Sequence, residues 1–259
     1  MPALAIDTAT EVMSIALGDG PLLLGEMSVD AGRSHLELLL PSLHDLLKKK
    51  RLRPRNISAI VAGIGPGTFS GLRVCISTAR ALAQTLEAPL FGFSTLEALA
   101  LELAVGTGGD EYRLLLPIID AKRGQVFARL YKKEGDTGVT PASDVLCLDP
   151  VALMEKLAGL TREPIRAGGN GAIAYRDMFT TNGQLKIISA EDHRNRVRAF
   201  WHLRAAYPGA TFSPGLLLAV VPEYLREPDA DTTILLRKRE PWRRYKPCPL
   251  PTPNRPTVI

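Results

Sequence analysis

The apolar positions change period three times in the first hundred residues. Ala3-Leu4-Ala5-Ile6 is an unbroken apolar run stopping at Asp7; Glu11 to Leu17 follows at once, and Leu22-Leu23-Leu24 resumes after Gly18-Asp19-Gly20. Short apolar runs split by such residues predict strands and a hairpin. The chain is therefore expected to open as an antiparallel meander, with Asp7-Thr8-Ala9-Thr10 as its first turn. The period then lengthens: Leu36, Leu39, Leu40, Leu43, Leu46 and Leu47 recur at intervals of three and four, one wide stripe on a helix. Ser34-His35-Leu36-Glu37 predicts a capping box at its start, and Pro41 a kink within it. Lys48-Lys49-Lys50-Arg51 closes it, and reads first as charge that suits a helix C-terminus, ahead of an RNA patch.

Ile57 to Ile64 predicts a buried strand leading into Gly65-Pro66-Gly67-Thr68-Phe69-Ser70-Gly71. A helix is expected from Leu72 to Leu86, with a small apolar stripe through Val74, Ile76, Ala79, Ala83 and Leu86. Ser94 caps another, from Thr95 to Val105, and Gly106 to Gly109 reads as a hinge. The second half repeats the opening device: Leu114 to Ile119 ends in Asp120, turns through Gly124, and continues as Val126 to Tyr131. Strand, acidic turn, strand, then helices in both halves predicts an α/β protein of two related lobes, residues 1–105 and 106–228, with a cleft between them. Phe212-Ser213-Pro214-Gly215 interrupts any helix near the end of the second.

Composition sharpens the picture at two points. With 46% hydrophobic and 23% charged residues in 259, the chain has enough apolar surface to fold. No apolar run approaches the roughly 18 residues needed to cross a bilayer, and Met1 to Ile6 lacks the basic start of a signal peptide. Cys75, Cys147 and Cys248 are too far apart for a disulfide framework or a zinc knuckle. These features predict a reduced, cytoplasmic protein without a membrane partner. The net charge of +5 arises wholly after residue 190, because Lys+Arg and Asp+Glu balance before it. Residues 229–259 are rich in Pro and Arg and read as an extended tail. Its six cations between Arg237 and Lys246, beside Trp242 and Tyr245, are of a kind that holds an RNA backbone, but a solvated extension explains the composition as well.

Candidate chemistry is thin. A nucleotide cleft between duplicated lobes needs glycine-lined turns whose N–H groups reach phosphate. The first turn has hydroxyls at Thr8 and Thr10 but no glycine, and Lys122 and Arg123 crowd the second. Asp7 and Asp120 suit a metal–phosphate, yet Asx turns are the commoner use of such acids. Gly65 to Gly71 precedes a helix and offers an anion site there. It is not a Walker loop, since Arg73 stands where Lys-Ser/Thr is required. Gly168-Gly169-Asn170-Gly171 lies where a lobe would meet a nucleobase. Gly67 to Gly71 misses the G-x-S-x-G elbow by one position. None of His35, His44, His193 and His202 forms an i, i+4 metal pair, and His35 and His44 read as helix-surface residues. No catalytic constellation and no metal site emerge.

The stretches AIDTAT, GRSHLELLLPSL, GIGPGTFSGLRV, FSTLEALA, IDAKRGQVFARLY and PEYLREPDA, in that order, resemble the TsaB (YeaZ) family. The family's usual loop reads G-P-G-S-F-T-G-L-R; here Thr68 and Ser70 exchange its hydroxyl residues. The resemblance implies the two-lobed actin/Hsp70/sugar-kinase-like (ASKHA) fold. It also implies a non-catalytic subunit of the machinery that makes threonylcarbamoyladenosine beside the tRNA anticodon. Its partners would be a TsaD-like catalytic subunit and a TsaE-like ATPase, with tRNA reached through the complex and self-pairing when alone. In the family the first two helices form the pairing surface, which here means Leu36, Leu39, Leu40, Leu43 and Leu47 with Arg73, Ile76, Ala79 and Ala83. The implied cofactor cleft is degenerate, built from Asp7, Thr8, Thr10, Gly65, Gly67, Asp120 and Gly169, with no cofactor required and at most weak nucleotide binding. The rival from the same superfold is an active small-molecule kinase or ATPase; a metalloprotease-like hydrolase fits the histidine spacing least.

Overall fold

Alternation along the first strand decides the layering. In β1 (Ala3–Asp7), Leu4 and Ile6 face one side while Ala3, Ala5 and Asp7 face the other, and all five are buried. The computed structural model describes residues 2–105, 112–135, 138–179, 185–188, 191–206 and 211–225; the expected hinge at Gly106 to Gly109 and the tail lie outside them. β1 pairs antiparallel with β2 (Val12–Asp19), which pairs with β3 (Leu22–Asp30) across the Gly18-Asp19-Gly20 hairpin. On its other edge β1 runs parallel to β4 (Ala59–Gly65), and β4 parallel to β5 (Leu90–Ser94). The order is β3-β2-β1-β4-β5.

The second sheet repeats it. β6 (Leu114–Lys122) pairs antiparallel with β7 (Gln125–Ala128), and β7 with β10 (Leu146–Leu148). β6 also runs parallel to β11 (Ile165–Gly168), and β11 to β12 (Leu185–Ile187). The order β10-β7-β6-β11-β12 matches the first lobe strand for strand, and β8 (Tyr131–Glu134) with β9 (Gly138–Pro141) forms a side hairpin on β6. This is the two-lobed α/β arrangement, with one strand order used twice, that the duplicated device in the sequence predicts.

Helices α1 (His35–Lys49) and α2 (Phe69–Leu86) cover the Leu4/Ile6 side of the first sheet. Ser34 is the N-cap residue of α1, but its side chain makes no capping bond, so the predicted capping box does not form. The backbone carbonyl of Ser34 instead takes the Glu37 and Leu38 amides. His35 is a second correction: it is buried, and its Nε2 donates to the Thr10 carbonyl at 2.9 Å. It ties the helix start to the first turn. Ser94 does cap α3 (Thr95–Ala104), accepting the Glu97 amide. In the second lobe, α4 (Pro150–Leu160), α5 (Asn170–Ala174) and α6 (Arg176–Phe179) contribute Leu153, Leu157, Ala172 and Phe179 to the core.

The two lobes exchange their last helical segments. α3 follows the first sheet but lays Leu96, Leu99 and Leu103 against Leu115, Ile119 and Phe127 of the second. Residues 191–206 follow the second sheet and return to the first. There Ala199, Leu203 and Ala205 of a 3-10 turn, Ala199–Ala205, press on Ala3, Ala5, Ala16, Ala59 and Val61. The small side chains of that face leave room for a closely packed segment. After it, α7 (Pro214–Leu217) starts at Pro214, and Leu217 and Val220 join the core beneath α2. The expected assignment of everything from 106 to 228 to the second lobe therefore fails at its end, because the alanine face of the first sheet takes this return strap.

Candidate functional site

Asp7 ends β1 on the alanine face and is fully buried. One carboxylate oxygen, Oδ1, takes the Ala9 amide at 2.8 Å and closes an Asx turn. The other, Oδ2, accepts from the Thr95 hydroxyl at 2.8 Å and from His202 Nε2, also at 2.8 Å. His202 comes from the return strap and is fully buried. Because its Nε2 faces a carboxylate, that nitrogen carries the proton, and Nδ1 has no partner among the described residues. The acid that the sequence offered to a metal–phosphate is here a solvent-free contact between strand, helix and strap.

The rest of the first turn is closed from the other side. The Thr8 hydroxyl donates to the Gly71 carbonyl at 2.7 Å, and the Thr68 amide donates to the Ala9 carbonyl at 2.8 Å. A Cβ at Gly71 would run into the Thr8 carbonyl, so glycine is required for this close approach. Gly67 lies just as tightly on Ala9, and Gly65 ends β4 at φ +104°. The glycine-rich loop is thus seated on the first turn, and its backbone meets protein where a phosphate cradle would meet ligand. The Thr10 hydroxyl bonds back to the Val12 carbonyl at 3.2 Å.

In the second lobe, Asp120 closes an Asx turn on the Lys122 amide at 2.8 Å. The Lys122 ammonium folds back to Asp120 Oδ2 at 2.9 Å and reaches Glu11 of the first turn at 2.7 Å. Its hydrogen bond to Glu11, then that to Asp120, holds the lysine above its ordinary pKa. An ammonium thus stands between the two turns, in a position where a bound cation would bridge lobes. Gly169 begins α5 at φ +115°, with its amide taken by Asn195 Oδ1 at 2.9 Å. A side chain there would strike the Ile118 carbonyl, so this glycine packs α5 onto β6.

Sequence reasoning missed the roles of Arg198, Trp201 and His202, because their partners are 96 to 195 positions away. Arg198 binds Glu26 of β3 at 2.6 Å and Glu102 of α3 at 3.4 Å. Trp201 Nε1 donates to Glu102 Oε2 at 2.5 Å. Glu102 is almost wholly buried, so these donors supply the compensation such a carboxylate needs. Arg194 pairs with Asp192, and that hydrogen bond more than any other influence pulls the Asp192 carboxyl down to about 2. Within the basic stretch from Arg194 to Arg204, Arg194 and Arg198 are held by the chain's own carboxylates, and Arg196 lies 3.5 Å from Asp30 at the surface. A cavity of about 310 Å3 remains between the lobes, with Leu99, Ile119, Ile173 and Val197 among its lining. Of the seven expected cofactor residues, only Thr10 lines it.

The expected pairing surface divides. Leu39, Leu43 and Leu47 of α1, and Ile76, Ala79 and Ala83 of α2, are buried in the first-lobe core. They cover the chain's own sheet, which corrects their assignment to a partner. Leu36 and Leu40 point outward at 74% and 55% exposure, and Arg73 is exposed with its guanidinium 3.9 Å from the centre of the Phe69 ring. Phe69, itself 43% exposed, also stacks on Tyr224 at 5.2 Å. The exposed residues at the start of α1 and of α2 thus include three large apolar side chains, Leu36, Leu40 and Phe69, beside the polar Glu37, Ser70 and Arg73.

A family model described as TsaD, tRNA N6-adenosine threonylcarbamoyltransferase, matches residues 28–170, more than half of the chain. The TsaB protein of Bacillus subtilis, described as a tRNA threonylcarbamoyladenosine biosynthesis protein, is 28% identical over 89% of this chain and 96% of its own length. The Escherichia coli protein of the same description is 30% identical over 74% of this chain and 84% of its own. Among solved structures, YeaZ from Pseudomonas aeruginosa superposes with a TM-score of 0.70 at 23% identity, over 86% of this chain and 99% of that one. That likeness bears on the fold alone.

Proposed function

Because the chain belongs to the TsaB (YeaZ) family, we propose that it is a non-catalytic scaffold subunit in the formation of threonylcarbamoyladenosine on tRNA. It works by pairing with a TsaD-like catalytic subunit, and the pair receives a TsaE-like ATPase and tRNA. The observation that carries this reading is the occupation of both turns by the protein's own groups: His202 and Thr95 on Asp7, and Lys122 on Asp120. A kinase or ATPase needs those carboxylates free for a metal–phosphate. No cofactor is required on this reading, and nucleotide binding by the isolated chain is weak at most.

The pairing surface is Leu36 and Leu40 with Phe69 and Arg73, and it also serves self-pairing when the chain is alone. Two adjacent helices with an apolar outward edge can supply half of a four-helix bundle. Co-expression with the TsaD-like protein of the same cell tests the proposal. A stable complex that restores threonylcarbamoyladenosine in cells depleted of their TsaB supports it. A robust ATPase or kinase rate from the purified chain, lost in Asp120→Asn, would overturn it.

A further inference from the structure

The last turn of α1 runs into Lys48, Lys49, Lys50, Arg51, Arg53 and Arg55, six cations in eight residues and all exposed. No ion pair among the described residues involves any of them. A helix dipole rewards positive charge only in the final turn, where Lys48 and Lys49 stand. Arg51, Arg53 and Arg55 lie past its reach, so helix stability does not account for them.

The segment is also fixed in place. The Arg51 amide donates to the Lys48 carbonyl at 3.0 Å and the Leu52 amide to the Leu47 carbonyl at 2.9 Å. A 3-10 turn, Pro54–Asn56, follows, closed by the Arg53 amide on Asn56 Oδ1 at 2.7 Å and the Asn56 amide on the Arg53 carbonyl at 2.8 Å. Leu52 packs against the first-lobe core, and the Lys50 stem lies over Gly25 of β3. The cations therefore stand on a preorganised knuckle, which lowers the ordering cost of binding. Guanidinium forks suit phosphate oxygens, and no aromatic side chain from 48 to 56 is present to stack on a base. Such a surface reads a backbone and not a sequence.

We propose that this knuckle is a contact for the phosphate backbone of RNA, so that the chain touches its nucleic acid directly as well as through its partner. The identity of the polyanion as RNA rests on the function proposed above. Leu36 lies roughly 18 Å from Lys48 along the axis of α1, so a protein on the pairing face leaves the knuckle open.

The test is binding of an unmodified tRNA transcript to the full chain by fluorescence anisotropy between 50 and 200 mM KCl. The variant replaces Lys48, Lys49, Arg53 and Arg55 by Gln, sparing Arg51 for its positive φ and Lys50 for its packing. A charge-matched control replaces Lys132, Lys156, Arg162 and Lys186, exposed cations of the second lobe, by Gln. Each phosphate contact contributes about 0.7–0.9 to the slope of log affinity against log salt, so the knuckle variant should lose about 3 from that slope. Its affinity should fall tenfold or more with an unchanged thermal midpoint, and the control should lose much less. An unchanged slope overturns the proposal, as does an equal loss in the control or a lowered midpoint with tRNA binding intact. So does loss of binding to phosphatidylserine-containing vesicles while tRNA is still held. Pairing with the TsaD-like subunit is measured on the same variant. Failure of the unaltered chain to pair would sink the scaffold reading, whereas intact pairing with an unchanged slope would sink only this one.

Discussion

His202 and Asp7 form the contact on which the first turn depends, and neither touches water. Removing one partner of a buried, hydrogen-bonded pair leaves the other desolvated, at a cost of about 3–5 kcal/mol. His202→Ala should therefore lower the urea midpoint severely. Lys122→Ala should cost under about 1 kcal/mol, since that lysine is half exposed and its pairs are screened. Equal midpoints for the two variants would show that the histidine is not buried against Asp7. Burial, and next to it the charge of Asp7, pushes the Cys75 thiol far above its ordinary range. Thiolate is the reactive form, so Cys75 should resist iodoacetamide at pH 8 in the folded protein and react only on unfolding. Peptide mass spectrometry reads this directly.

At the scale of elements, α1 separates two roles that one leucine stripe concealed. Leu39 is 1% exposed and packs in the core, so Leu39→Ala should cost about 2–5 kcal/mol in a denaturant titration. Leu40 is its neighbour in sequence and faces outward. Leu40→Glu should leave the monomer folded and weaken pairing with the TsaD-like subunit a hundredfold or more, because an unpaired charge is desolvated at the contact. A Leu40→Glu protein that pairs normally would remove α1 from the interface. The strap has its own signature in acid. Asp192 caps the 3-10 turn His193–Asn195, and its carboxyl titrates at about 2 in the fold against 3.8 for the free group. A depressed carboxyl contributes stability that is present above its unfolded pKa and lost as pH falls through its folded one. Protection of the 193–195 amides in hydrogen exchange should accordingly fall between about pH 4 and pH 2.

For the whole molecule, the decisive feature is that each sheet is covered by the helical segment that follows the other. α3 and the strap cross, and Glu102 receives Arg198 and Trp201 where they meet. The Glu11–Lys122–Asp120 bridge spans the same two lobes on the side of the turns. A metal–phosphate at Asp7 or Asp120 would have to displace His202 and Thr95 or Lys122. Mg2+ and ATP at about 1 mM should therefore leave the thermal midpoint unchanged; a ligand present at a hundred times its Kd would add about 2.7 kcal/mol. A rise of several degrees that Asp7→Asn abolishes would restore the kinase reading.

Local physics made most of the elements legible in the sequence. The alternation of Ala3 to Asp7, the Gly18-Asp19-Gly20 turn, the leucine period of α1 and the Ser94 cap each act within a few residues, and each reappears close to its expected bounds. The repeated strand–acid–strand device was legible too, and the matching strand orders of the two sheets are its consequence. Which leucines of α1 face the sheet was not, because a stripe wider than the contact does not record its own edge: Leu36 and Leu40 look like Leu39 and Leu43 until a sheet lies beneath them. The filling of the first turn was less visible still. Asp7 and His202 are 195 residues apart, and only the return of the chain across the alanine face of the first sheet brings the imidazole to the carboxylate. Periodicity fixes what a residue does to its neighbours in the chain; long-range packing chose the partner of each buried charge, and with it whether an acid in a turn stays open to a ligand.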